Sequence, residues 1–217
     1  MSFLILAVLP FAQLVCAYTN SEYGFSITPP NTWNAVNPPP SPALVEFTDP
    51  NIATTGASMN VFATPTTSTL AQYVQGAVQG LTSDGYTVVS QNSITISGMN
   101  GEQLVSTSLV DNNNFQTTQD IFVEKGNAYI ITLGAFESQY DNVASELSAS
   151  ANSFTVNSVS SGLTSSTSTI EIVGAVVAVI VVVVVVVVLL MRRKRKTEPG
   201  SNVVSSPPIP PPPPPYP

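Results

Sequence analysis

An α+β domain, an antiparallel β-sheet flanked by helices, plus one transmembrane helix, is the architecture that this 217-residue sequence predicts. Three observations lead to it. Several short stretches alternate apolar and polar side chains, the two-residue period of a half-buried strand. Two others repeat apolar residues at i, i+3, i+4 and i+7, the spacing of one helix face. Finally, residues 172–191 are apolar throughout, mostly valine, and run straight into Arg192-Arg193-Lys194-Arg195-Lys196.

Residues 1–17 carry a short apolar run interrupted by Pro10 and Gln13 and ending Val15-Cys16-Ala17, a secretory signal with cleavage expected after Ala17. No lysine or arginine precedes the run, so the amino terminus supplies the positive charge or the true start lies upstream. Leu14-Val15-Cys16 lacks the small residue expected before a lipidated cysteine, which favours cleavage over a lipid anchor.

Residues 18–156 form the predicted domain. Phe25 and Ile27 alternate with polar neighbours, Val45 and Phe47 alternate around Glu46, and Met59, Val61 and Ala63 keep the same period. Pro38-Pro39-Pro40 and Pro42 make the connection before Val45 extended and stiff. Leu70, Tyr73, Val74, Ala77, Val78 and Leu81 then share one helical face. Thr69 and Gln72 form a capping box before it, Gly85 is its stop, and Gly76 and Gly80 lie on the outer side. A meander follows, with strands over residues 86–89, 94–97, 103–110, 117–123 and 128–133. Turns are expected at Asn100-Gly101, at residues 111–114 and at Gly126-Asn127. Tyr140, Val143, Ala144, Leu147, Ala151 and Phe154 define a second helix, with a capping box at Ser138 and Asp141. Order and number of elements give the α+β class.

Beyond the domain, residues 157–169 are almost all serine and threonine, a flexible stalk. Residues 170–191 are the membrane span. At ~1.5 Å per residue, residues 172–191 make a helix about 30 Å long, the thickness of the hydrocarbon core. In lipid only a helix satisfies the amides of such a β-branched run internally. The basic cluster Arg192 to Lys196 keeps its side cytoplasmic and places the domain outside. Gly174 and Ala178 form a small-xxx-small pair, a candidate helix–helix contact. Residues 192–217 are a cytoplasmic stop-transfer segment and a disordered proline-rich tail. In that tail Pro213-Pro214-Pro215-Tyr216 matches the PPxY pattern that polyproline-binding domains read.

Charge and composition exclude several function classes. Residues 18–169 hold eleven carboxylates against one cation, Lys125, a net charge of −10. A surface this acidic cannot neutralise phosphates, so nucleic acid is not a partner. The chain has no histidine, and its one cysteine, Cys16, falls in the signal segment. Disulfides, His/Cys zinc sites, cysteine nucleophiles and Ser-His-Asp triads are thereby excluded. Lys125 sits in a hairpin-turn sequence and reads as a solvated lysine rather than the base of a Ser-Lys dyad. Asp111-Asn112-Asn113-Asn114 fails as an EF-hand because Phe115 takes the fifth position and no glutamate takes the twelfth. No Asn-x-Ser/Thr sequon is present.

Tyr23-Gly24-Phe25-Ser26-Ile27, followed by Pro30 and Trp33, resembles the opening strand and turn of PsbP-like domains. The closing stretch with Tyr140, Leu147 and Ser153-Phe154 resembles that family's C-terminal helix. The resemblance covers residues 18–158 and implies the Mog1/PsbP fold, a sheet between helices, in an exported prokaryotic form with a C-terminal membrane anchor. It assigns Tyr23, Gly24, Phe25, Pro30, Trp33 and Phe154 as fold determinants, Trp33 as a core residue rather than part of a peptide-binding surface. Plant members are extrinsic subunits that support the manganese–calcium cluster and chloride retention of photosystem II. No catalytic or metal residue carries over, and no cofactor is expected, with weak calcium or manganese binding left open.

The expected function is that of a single-pass, type I surface protein whose acidic domain is a non-catalytic binding or scaffolding module. Its partners would be the bilayer, an unidentified extracytoplasmic protein and a polyproline-binding partner of the tail. A second reading, by analogy with PsbP, is an accessory subunit of a membrane redox or metal-cofactor complex. A third is an extracytoplasmic hydrolase using carboxylates.

Overall fold

The computed structural model of the chain describes residues 16–157 apart from residue 111. The signal segment up to residue 15, most of the stalk, Gly174, Ala178, the basic cluster and the PPxY motif lie outside the described residues.

Among the described residues ten strands and three helices follow one another. They are β1 (Tyr18–Asn20), β2 (Phe25–Ile27), β3 (Asn34–Ala35), β4 (Val45–Thr48), α1 (Ile52–Thr55), β5 (Ser58–Pro65), α2 (Leu70–Ser83), β6 (Thr87–Ile96), β7 (Met99–Val110), β8 (Asn113–Glu124), β9 (Asn127–Phe136), α3 (Glu137–Asn152) and β10 (Thr155–Val156). The strands make two sheets rather than one. A small sheet has the order β1-β2-β10 and a large one the order β3-β4-β5-β9-β8-β7-β6, with antiparallel pairing throughout. The expected alternation of Phe25 with Ile27 and of Met59 with Val61 and Ala63 is present, and all five side chains are buried.

Helix α2 forms as its sequence dictates. Thr69 and Gln72 complete a reciprocal capping box, the Gln72 N–H donating to Thr69 Oγ1 and the Thr69 N–H to Gln72 Oε1. Tyr73, Val74, Ala77 and Leu81 are buried against Phe62, Leu104, Ile121 and Ile130 of the large sheet. Gly85, at φ +83°, ends the turn after the helix, while Gly76 and Gly80 stay partly exposed. On the opposite face, α3 and the small sheet cover Met59, Val61, Tyr129, Ile131 and Leu133. The molecule is therefore layered helix, sheet, helix, with the small sheet sharing the second helical layer.

Several sequence expectations are corrected. Residues 86–89 and 94–97 do not form two strands, because β6 is continuous and absorbs an irregularity at Val89, between Val88 and Ser90, as a bulge. The β6–β7 turn is Ser97-Gly98, at φ +52° and +80°, not Asn100-Gly101. Gly101 lies inside β7, where a methyl group would come within 2.5 Å of the Phe122 ring and 2.7 Å of the Ile121 carbonyl oxygen. That glycine serves close packing rather than turn geometry. Lys125-Gly126, at φ +52° and +77°, joins β8 to β9 through a two-residue turn, and Asn127 already belongs to β9. Asn113 and Asn114 likewise belong to β8, leaving a turn at Asn112, φ +63°.

The Ser138–Asp141 capping box does not form. Phe136, the last residue of β9, is itself the N-cap of α3, and no side chain caps it. The Phe136 ring packs edge-on against Phe115, centroids 6.0 Å apart, and beside Gly56, which sets the helix entry two residues before Ser138. Phe154 lies past the end of α3 rather than on its face. The proline segment is not extended: Asn37-Pro38 and Ser41-Pro42 are cis, and the Ala43 N–H closes a turn onto the Pro40 carbonyl.

Glu46 departs most from a simple alternation. It is fully buried, as are its cross-strand neighbours Asn60, Thr132 and Gln119, a polar row over four adjacent strands on the α2 side of the sheet. Neither Glu46 oxygen has a hydrogen-bond partner among the described residues. Burial pushes its carboxyl up to about 7. Alternation indicates which residues share a face, but not that both faces of the sheet are enclosed.

Candidate functional site

Strand β8 has polar residues on both of its faces, and the face toward α3 builds a cavity. With period two, Gln116, Thr118 and Asp120 point the same way. Gln103 of β7 stands directly across from Asp120. Ile94 and Ile96 of β6 and Tyr140 of α3 form the walls. The cavity has a volume of about 440 Å³ and is open to solvent on one side.

Asp120 is its most constrained group. The side chain is only 2% exposed, and Oδ1 accepts a hydrogen bond from Gln103 Nε2 at 2.9 Å. Burial raises its carboxyl to about 6, with the Gln103 bond acting in the opposite direction. At neutral pH it is mostly ionised. Across the cavity the Tyr140 hydroxyl lies 2.6 Å from Thr118 Oγ1. Burial raises the Tyr140 phenol, against hydrogen bonds to Thr118 and Gln116, and the Asp120 charge raises it further. The hairpin tip is fastened over this region by Ser97 Oγ, which donates to the Phe154 carbonyl at 2.7 Å. Among the described residues no group of three His, Cys, Asp or Glu side chains is placed to hold a metal ion.

The residues singled out in the sequence lie elsewhere. Phe25 and Phe154 are fully buried and face one another, centroids 5.6 Å apart. Pro30 is buried, and Gly24, at φ +65°, offers its carbonyl to the Asn157 N–H. Tyr23 is partly buried, and its carbonyl accepts from the Tyr129 hydroxyl at 2.8 Å. Trp33 is partly buried against the same core, its N–H donating to Pro30. Lys125 Nζ donates to the Val156 carbonyl, and among the described residues it has no acidic partner. None of these lines the cavity. Sequence reasoning passed over Asp120, Gln103, Gln116 and Thr118, although a signal was present. Gln116 to Asp120 is five consecutive polar residues in a strand with neighbours on both sides.

A helix–sheet–helix sandwich with a cavity between its last helix and the outer strands of the meander makes a small α+β domain of the PsbP type. The chain belongs to the PsbP family, whose model matches residues 14–156, roughly two thirds of the sequence. Among solved structures it is similar to the cyanobacterial PsbP, CyanoP, of Synechocystis sp. PCC 6803, with 18% identity over 70% of this chain and 99% of that one, at a TM-score of 0.52. LpqN of Mycobacterium tuberculosis, described as involved in cell envelope biogenesis, is 14% identical over 66% of this chain and 90% of its own, at a TM-score of 0.49. A Bacteroides thetaiotaomicron protein is 11% identical over 65% of this chain and 48% of its own, at 0.48. At these identities the likeness to CyanoP is one of fold. No curated protein matches the chain.

Proposed function

We propose that the chain is a single-pass, type I surface protein whose PsbP domain is a non-catalytic binding module, with the Asp120 cavity as its ligand site. The observation that carries this reading is the cavity itself: a buried carboxylate, an amide and two hydroxyls on rigid secondary structure, facing open space. Membership of a family that is generally accessory rather than catalytic supports it, as does the absence of histidine from the sequence. The placement at a membrane rests on residues 170–191 and the basic residues after them. Among the described residues no helix is long and apolar enough to cross a bilayer.

The test has two arms. Protease added to intact cells making the full chain with a C-terminal epitope removes the domain and leaves the tail epitope intact. A domain that resists until the cells are opened overturns the placement. In detergent, a ligand screen of small polar compounds by saturation-transfer NMR yields binders that are abolished by Val105→Trp, which fills the cavity from a β7 position in its lining. Binders indifferent to that change refute the site.

A further inference from the structure

The cavity has an uncompensated sign. Asp120 is held almost wholly out of water, and its hydrogen-bond partner, Gln103, is neutral. Lys125 is the only basic residue between positions 18 and 169. It stands five residues further along the chain, roughly 16 Å at ~3.3 Å per residue, and its ammonium is bound to the Val156 carbonyl. A buried carboxylate ordinarily has a charged partner or a metal. A divalent cation prefers several oxygen ligands with more than one carboxylate among them, and here Asp120 is the single carboxylate of the lining. The other polar groups of the lining are neutral, and Gln116, Thr118 and Tyr140 among them can all accept N–H donors. Ile94 and Ile96 add apolar wall, and the acidic domain draws cations toward its surface.

We propose that the cavity binds a small organic ammonium ion, its charge set against Asp120, its N–H groups shared with Gln116, Thr118 and Tyr140, and its alkyl body against Ile94 and Ile96. The proposal rests on the binding-module reading and names the ligand class for that site. Its volume, about 440 Å³, lies at the lower end of the ~300–1,000 Å³ range of small-molecule pockets.

The experiment is calorimetric titration of the detergent-solubilised full chain with n-butylammonium chloride, n-butanol, erythritol and calcium chloride in turn. The expected result is saturable binding of butylammonium, at least tenfold tighter than butanol. That binding weakens at least tenfold in Asp120→Asn and disappears in Val105→Trp, both checked for native secondary structure by circular dichroism. If butanol or erythritol binds as well as butylammonium and Val105→Trp abolishes it, the ammonium class is overturned and the site stands. Calcium that binds more tightly than butylammonium and displaces it also overturns the class, in favour of a metal. No binding by any of the four overturns the ligand class and removes the support for the site.

Discussion

Asp120 and Glu46 are carboxylates raised by burial, to about 6 and about 7 from ordinary values near 4. A carboxyl raised in the folded state keeps its proton at a pH where the unfolded chain has already lost it. Its contribution to stability is therefore complete below the unfolded value and is lost as pH rises through the folded one. For Asp120 the window runs from about 4 to about 6, and for Glu46 from about 4.5 to about 7. At ~1.4 kcal/mol per pH unit of displacement, each makes a difference of about 3 kcal/mol. The urea midpoint is expected to fall between pH 4.5 and 7.5, and Glu46→Gln and Asp120→Asn should each flatten the fall. A wild-type protein more stable at pH 7.5 than at 4.5 would contradict both assignments. The two acids also differ in legibility. The run from Gln116 to Asp120 marks β8 as unusually polar, whereas nothing local to Glu46 distinguishes it from an exposed residue on an edge strand.

The two long helices separate what a local pattern determines from what it does not. In α2 the apolar spacing, the Thr69–Gln72 box and Gly85 all point to one answer, and the helix occupies Leu70–Ser83. In α3 the apolar spacing places the buried face correctly, at Val143, Leu147 and Ala151, but the cap is decided by Phe136 packing at the end of β9. Thr69→Ala should therefore cost about 1 kcal/mol, the usual worth of an N-cap, and Ser138→Ala close to nothing. Thermal melts of the two variants measure the contrast, and equal losses would restore the Ser138 cap. Turns follow the same logic. Asn-Gly is the stronger hairpin signal, yet Ser97-Gly98 makes the β6–β7 turn because Gly101 is needed against Phe122. The short elements β1, β3, α1 and β10 escape sequence analysis because, unlike β2 and β4, they have no pair of apolar residues at i and i+2 to show a period.

At the scale of the molecule, Phe154 joins the two sheets. Its ring is fully buried, with centroids 5.6 Å from Phe25, 5.9 Å from Phe122 and 5.7 Å from Tyr129. Phe25 belongs to the small sheet, and the other two to the large one. Around this contact Ser150 Oγ donates to the Thr28 carbonyl, the Thr28 N–H donates to Ser153 Oγ at 2.8 Å, and the Tyr129 hydroxyl donates to Tyr23. Phe154→Ala removes the shared ring and should cost about 3–5 kcal/mol. It should also speed amide exchange at Phe25–Ile27 more than in α2. Measured by hydrogen exchange, a uniform acceleration would show instead that the sheets unfold as one unit.

The sequence by itself determined what depends on short-range pattern and composition. Those features are the α+β class, α2 and its box, the buried face of α3, the acidic charge and the lack of histidine. The resemblance at Tyr23 to Ile27 and at Phe154 pointed to the family to which the chain belongs. Only the tertiary structure decided that there are two sheets, that Glu46 is enclosed, and that Gln103, Asp120 and Tyr140 meet around one cavity. The reason is physical. Periodicity records which side chains share a face of one element, while enclosure and juxtaposition depend on which elements pack together. Asp120 and Tyr140 are twenty residues apart in the chain, on a strand and a helix, and no local signal relates them.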